Sequence, residues 1–181
     1  MERIPYAECM TCFVLAAMTL DGKISKSSSF LTTEWTSEED FLFMRSKLDV
    51  SDAVIVGRAT YDLAKEPLSV RNLLVFTQSV SGIQREHGRL AWMNPAGVDV
   101  MAELKRLGAE RVCILGGRAV YEWAFEQDLV DEVYLTIEPL VFGKGISLMD
   151  HGDYLKRFSL KSVEQINDSG TVLLQYSRAL T

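Results

Sequence analysis

Apolar residues in this chain come in short unbroken runs separated by helical patterns. "TCFVLAAM" (11–18) is apolar at nearly every position, which predicts a strand buried on both faces. "DAVIVG" (52–57), "NLLVFT" (72–77) and "RVCILG" (111–116) read the same way, and "RLAWM" (89–93) predicts a shorter strand. Between them, "SEEDFLFMRSKLDV" (37–50) predicts a helix with Phe41, Met44 and Leu48 on one face. "RATYDLAK" (58–65) predicts a short helix stopped before Pro67. "VDVMAELKRLG" (98–108) is amphipathic with Gly108 as its stop, and a helical pattern from Gly117 to Gln127 follows the strand 111–116 without a linker. The character changes after residue 130. "DEVYLTIEP" (131–139) precedes "FSLKSVEQI" (158–166) and "TVLLQYSRAL" (171–180), and "NDSG" (167–170) between the last two is a hairpin signal. The pattern predicts one α/β domain over 1–181 whose sheet begins parallel and ends antiparallel.

Composition narrows the function classes. A length of 181 residues, 48% hydrophobic and 24% charged, is enough for a folded domain with a full core. A net charge of −6 argues against a dedicated nucleic-acid binder, yet one guanidinium or helix N-terminus suffices for a small anionic ligand. "CFVLAAMTL" (12–20) is too short to span a membrane and runs into Asp21 and Lys23. The N-terminus lacks a basic segment followed by a long apolar run, which favours the cytoplasm. Cys9 and Cys12 form a C-x-x-C that leads into a strand rather than a helix, so they read as small residues and not as a redox pair. Cys113 reads as core. His87 and His151 stand without other ligands at metal-binding spacing, and no metal site is predicted.

The glycines carry the candidate chemistry. Gly116 and Gly117 end a predicted parallel strand just before a helix, which would leave bare backbone N–H groups at the carboxyl edge of the sheet. "VIVGRATY" (54–61) repeats the arrangement with Gly57, and Arg58 at the helix start is suited to a phosphate. A third strand ends at Thr77, whose hydroxyl is offered at the same edge. Three such ends would line a groove for a dinucleotide. The alternative for each is a tight strand-to-helix turn with no ligand. Neither G-x-G-x-x-G nor G-x-x-x-x-G-K-[ST] is present.

The sequence resembles the dihydrofolate reductase superfamily, and within it the RibD C-terminal type reductase domain of riboflavin biosynthesis. "AAMTLDGKIS" (16–25), "WTS" (35–37), "DAVIVGRATY" (52–61) and "EPLSVR" (66–71) carry the likeness. So does the stretch 114–139, in which "ILGG" leads straight into "RAVYEWAFEQDLVDEVYLTIEP". The resemblance extends from about Phe13 to Ser177. It implies a dihydrofolate reductase-like fold: a mostly parallel eight-stranded sheet, helices on both faces and an antiparallel C-terminal hairpin. It also implies NADPH as cofactor and a homodimer. By position, Arg58 and Thr60 would bind NADPH phosphates beside Gly57. Gly116 and Gly117, preceded by Leu115, would take the pyrophosphate. Thr77 would lie near the adenosine half, Val120 and Tyr121 in the helix after the glycines, and Met18 beside the nicotinamide.

For the substrate, Trp35, Asp21 and Arg71 match the pattern, and Leu48 falls where the riboflavin branch has a substrate-binding Arg, with Arg45 and Lys47 close by. That branch also has Glu at the position of Leu115 and Lys at that of Leu15, so polar partners for its substrate are missing. The dihydrofolate branch has a Trp followed five residues later by a carboxylate, as Trp35 and Asp40 are here; Asp40 is the candidate proton donor. "SEED" (37–40) is equally a capping box, with Ser37 as N-cap and Asp40 at N3. The implied function is an NADPH-dependent reductase of a pyrimidine- or pterin-like heterocycle. The alternative is an NADP-binding protein of the same fold without the chemistry.

Overall fold

Every run predicted to be buried on both faces lies inside one nine-stranded sheet. The computed structural model describes residues 10–86 and 88–179; Cys9 and His87 lie outside the described residues. The strands are β1 (Thr11–Thr19), β2 (Lys23–Ser25), β3 (Ala53–Gly57), β4 (Leu73–Phe76), β5 (Ile83–Glu86), β6 (Leu90–Met93), β7 (Arg111–Gly116), β8 (Glu132–Glu138), β9 (Ile146–Ser147), β10 (Phe158–Gln165) and β11 (Val172–Arg178). The helices are α1 (Glu38–Asp49), α2 (Arg58–Leu63), α3 (Lys65–Leu68), α4 (Val100–Arg106) and α5 (Arg118–Glu126). The main sheet runs β10-β11-β8-β1-β7-β3-β4-β6-β5, and β2 pairs separately with β9. The strands from β8 to β6 are mutually parallel. The β10–β11 hairpin adds to β8 antiparallel, as its turn signal predicts.

The sheet has nine strands, one more than the resemblance implies. The extra one is β5, "IQRE", antiparallel to β6 at the far edge. An exposed polar edge strand has no apolar run to announce it. Arg85 of β5 is tied to α4 instead, with its Nη2 2.6 Å from Glu103 Oε2, while Arg106 Nη2 lies 2.9 Å from Glu103 Oε1.

Alternation along the central strands sends side chains to two cores. Cys12, Val14, Ala16, Ile55, Leu74 and Ile114 meet α4 and α5 on one face. Phe13, Leu15, Val54, Val56 and Val75 meet α1, α2 and α3 on the other. Cys113 belongs to the second core and is fully buried, which pushes its thiol pKa up. α1 is turned slightly from its predicted face: Asp40 and Leu48 are buried with Phe43 and Met44 packed between, whereas Phe41 is not part of the core. Pro67 does not end helical structure. It sits in the first turn of α3, where a missing N–H has no intrahelical acceptor to lose. Among the described residues no helix is long and apolar enough to cross a membrane.

One irregularity shapes the carboxyl edge of the sheet. β1 pairs with β7 only from Thr11↔Arg111 to Val14↔Ile114, after which β1 stays with β8 alone. β7 carries a bulge at Leu115, since Ile55 pairs with Ile114 but Val56 with Gly116. The two strands therefore part at their carboxyl ends. The Tyr121 hydroxyl of α5 stands in the gap, 2.9 Å from both the Leu15 and the Leu115 carbonyl oxygens, so the carbonyls left by the parted ladder share a buried donor. The Tyr121 ring crosses Gly116, where an added Cβ would come within 2.5 Å of it, and Gly116 has φ +100°.

Gly116→Ala is therefore expected to cost at least about 2 kcal/mol of unfolding free energy, read by denaturant titration, because neither the ring nor the backbone has another place. Glu103 is only 2% exposed and its two guanidinium partners hold its carboxyl down to about 2, from 4.5. A depressed carboxylate stabilises the fold above about pH 4.5 and loses that contribution as pH falls toward 2. Glu103→Gln should cost about 1 kcal/mol at pH 7, since both arginines are half exposed and screened, and the difference from wild type should vanish below about pH 2 in an acid-unfolding series.

Candidate active site

Chain order explains why the gap between β1 and β7 faces a crevice. After β1 the chain crosses by α1 to β3, on the β7 side; after β7 it crosses by α5 to β8, on the far side of β1. Connections that leave adjacent parallel strands in opposite directions open a crevice at their carboxyl ends, the usual ligand position in open α/β sheets. β1, β3, β4, β7 and β8 all end at this edge, so the structure brings Met18, Gly57, Thr77, Leu115, Gly116 and Gly117 to one side of the sheet.

The edge residues differ in what they do. A Cβ on Gly57 would lie 3.3 Å from Val120 Cγ2 and 3.6 Å from Gly117 N, so β3, β7 and α5 are locked together with backbone against backbone. Apart from its chain neighbours, the one described atom that a Cβ on Gly117 would meet within 4 Å is Thr60 Oγ1, at 3.5 Å. The main chain of Gly117, at the N-cap of α5, and the Thr60 hydroxyl thus border open space. This is the shape a phosphate needs: bare backbone at a helix N-terminus with a hydroxyl beside it. Thr77 stands just past β4, its hydroxyl bonded to Ser79 Oγ at 3.1 Å. Arg58 opens α2, half exposed. Its Nε donates to Asp62 at 2.7 Å and its guanidinium lies 4.7 Å from the Trp92 ring centroid. The residues present fit a phosphorylated nucleotide along this edge. Val120 and Tyr121 belong to the core, 3% and 4% exposed, and reach the edge only through the packing described above.

On the α1 face a second group gathers beside β8. Ser37 caps α1, its Oγ accepting from Asp40 N at 3.4 Å. The predicted reciprocal bond does not form: Ser37 N donates to Glu138 Oε1 at 2.7 Å, so Glu138 from β8 takes the place expected for the Asp40 carboxylate. Asp40 turns inward and is 6% exposed. Burial pushes its carboxyl above the ordinary range, against the Thr136 and Thr36 hydroxyls beside it, and the charge of Glu138 adds to the rise. Trp35 Nε1 is buried with no hydrogen-bond partner among the described residues, whereas the Thr36 hydroxyl stands beside Asp40. A buried, unpartnered donor in the segment that leads to a protonable acid marks a place for a polar ligand. The Trp35 ring packs edge-on against Phe142, centroids 5.1 Å apart. Asp21 is engaged in the chain itself: it accepts from Thr19 Oγ1 at 2.6 Å, Phe142 N at 3.1 Å and Gly143 N at 2.8 Å, which lowers its pKa and pins the loop that carries Phe142.

Two expected substrate residues lie elsewhere. Leu48 is 5% exposed, with its side chain in the second core, eight residues along α1 from Asp40 and so about 12 Å away along the axis. Arg71 precedes β4 at the opposite, amino end of the sheet. Its guanidinium donates to the carbonyls of Pro67 at 2.7 Å and Leu48 at 3.4 Å and pairs with Asp49. Both line an open depression of about 470 Å³ there, with Asp52, Asn72 and Arg89. Its polar groups bond to one another and to nearby backbone, and none of its lining side chains is a buried unpartnered donor among the described residues. Glu138 is the site residue that sequence reasoning misses. Its signal is the period of two in "YLTIE", which sets Tyr134, Thr136 and Glu138 on the face that meets α1.

Comparison with known proteins accords with this geometry. The model of the RibD C-terminal domain matches residues 70–172. The chain is 30% identical over 170 residues to the uncharacterized protein YwjB of Bacillus subtilis, covering 90% of this chain and 95% of that one. It is 27% identical over 159 residues to the riboflavin biosynthesis protein RibD of Corynebacterium ammoniagenes, covering 75% of this chain and 44% of that longer protein. The dihydrofolate reductase of Enterococcus faecalis, solved in complex with NADP(H), superposes with a TM-score of 0.65 at 20% identity, over 94% of this chain and 97% of that one. Sheet order, the carboxyl-edge crevice and these likenesses agree: the chain belongs to the RibD C-terminal domain family, whose fold is that of the dihydrofolate reductase-like reductases.

Proposed function

We propose that this protein is an NADPH-dependent reductase that adds a hydride and a proton to a pyrimidine- or pterin-like heterocycle. The observation that carries the reading is a crevice with open backbone at a helix N-terminus on one side and a buried, protonable carboxyl on the other. NADPH would lie along the carboxyl edge, with its phosphates at Gly117, Thr60 and Arg58, and would supply the hydride. The residues of the chain do the rest. A flat ring would lie beside Met18, over the carboxyl edge where β1 and β7 part around the Tyr121 hydroxyl. Trp35 and Phe142 wall the substrate side and keep water out. Asp40 holds a proton at higher pH than an ordinary aspartate and can pass it to a ring nitrogen, directly or through a water, as a C=N bond is reduced. Leu15 and Leu115 are apolar where a ribosylaminopyrimidine phosphate would need partners, so a substrate with fewer charged groups fits this chain better.

Turnover with a panel of dihydropterins and ribosylaminopyrimidines tests the reading, and NADPH binding without turnover on any of them would favour a binding protein instead. Because the protonated form of Asp40 is the active one, kcat should be highest at low pH and fall as pH rises through a raised Asp40 pKa. Asp40→Asn should remove that dependence and lower kcat by about 10²–10⁴-fold while leaving the NADPH Kd unchanged. Arg58→Ala should weaken NADPH by about tenfold or more and NADH little, measured by fluorescence titration; equal weakening of both would take Arg58 away from the phosphate that distinguishes them.

A further inference from the structure

The first turn of α1 is held by a carboxylate that the proposed chemistry does not use. Glu138, at the carboxyl end of β8, is 4% exposed and pairs with no cation among the described residues. Its Oε1 accepts from Ser37 N at 2.7 Å and its Oε2 from Thr171 Oγ1 at 2.7 Å. Thr171 in turn accepts from Asn167 Nδ2 at 2.9 Å, so the Thr171 proton is directed to Glu138 and both Glu138 oxygens act as acceptors. Asn167 Nδ2 also reaches Glu39 Oε2, at 3.1 Å. One relay therefore runs from the β10–β11 hairpin through Glu138 to the residue that caps α1, and that residue's Oγ receives the Asp40 amide.

We propose that Glu138 is a positioning residue for Asp40: it pins the first turn of α1 to β8 and fixes a negative charge beside the Asp40 carboxyl. The carboxyl faces Glu138 and the Thr136 hydroxyl from β8, and the Thr36 hydroxyl from the segment before α1. Across the sheet is the Tyr121 phenol of α5, already committed to the Leu15 and Leu115 carbonyls. Of the charged groups set against Asp40, Glu138 is an anion, so a second anion there is disfavoured and the proton stays on Asp40. A cation in the same place would discharge the acid. Burying a carboxylate without one is costly and is offset here by two directed hydrogen bonds.

The inference rests on the reading of Asp40 as proton donor only for its consequence, and the test needs no substrate. Asp40 is titrated by the ¹³C shift of its carboxyl carbon, assigned by its loss in Asp40→Asn, while hydrogen exchange at the Ser37 amide reports the pin. Glu138→Gln keeps an acceptor for Ser37 N–H and removes the charge. The Asp40 midpoint should fall by about one pH unit with Ser37 still protected. Thr171→Val keeps the charge and removes one anchor. Ser37 exchange should then speed by about tenfold, with the Asp40 midpoint held. An unchanged midpoint in the folded Glu138→Gln protein, or unchanged exchange in Thr171→Val, overturns the proposal. If instead Asp40 responds as expected yet Asp40→Asn turns over normally, the proton-donor role of Asp40 fails and the relay stands.

Discussion

The structure depends on one missing stretch of strand pairing. Beyond Val14 and Ile114, β1 and β7 stop exchanging hydrogen bonds although they remain adjacent in the sheet. A buried ladder that opens leaves carbonyls to be satisfied, and each one left bare costs as much as a lost hydrogen bond. Tyr121 answers that need for Leu15 and Leu115 with a single hydroxyl. Much follows from placing its ring there. Residue 116 must be glycine, because the ring occupies the place of its side chain. Leu115 bulges out of register so that its carbonyl meets the phenol. α5 is fixed with its N-terminus at the sheet edge, where Gly117 and Thr60 border open space. The crevice is thus the part of a sheet held apart by a wedge and lined by the backbone that the wedge exposes.

Across β1 the second half of the site obeys a different constraint. Asp40 and Glu138 are two acids buried within one turn of helix and one strand end, with no basic partner for either among the described residues. Stability alone would favour an apolar pair of the same volume at such a place. What keeps the arrangement viable is the direction of every donor: Ser37 N and Thr171 Oγ1 into Glu138, Asp40 N into Ser37 Oγ. Asp21 shows the contrast. It is also an acid at a strand end, but it is well supplied with donors from Thr19, Phe142 and Gly143, its pKa is lowered, and it serves as a fastening for a loop. Electrostatic surroundings, rather than residue type, divide these carboxyls into a fastener, a support and an acid.

The neighbouring glycines follow the same rule. Gly116 and Gly117 are indistinguishable as a dipeptide, and both suggest an approach to phosphate. Only Gly117 borders open space; Gly116 is glycine because of Tyr121, five residues on. Arg71 and Leu48 go the other way. Matched to a substrate by motif, they belong to the amino end of the sheet and to the core, where Arg71 serves carbonyls and Asp49. The groups around Arg71 set what its guanidinium can still bind.

The sequence by itself determined the central strands, the helices between them, the terminal hairpin and the strand ends that line the carboxyl edge. These are consequences of period, turn chemistry and unbroken apolar runs, all of which act over a few residues. It could not announce β5, whose edge position demands no apolar run, nor settle whether Asp40 caps its helix or faces inward. Those outcomes depend on contacts between distant parts of the chain: Ser37 with Glu138 across 101 residues, Tyr121 with Leu15 across 106. A local pattern states what a residue can do, and only the tertiary structure, by bringing a competing donor, charge or ring against it, decides which of those things it does.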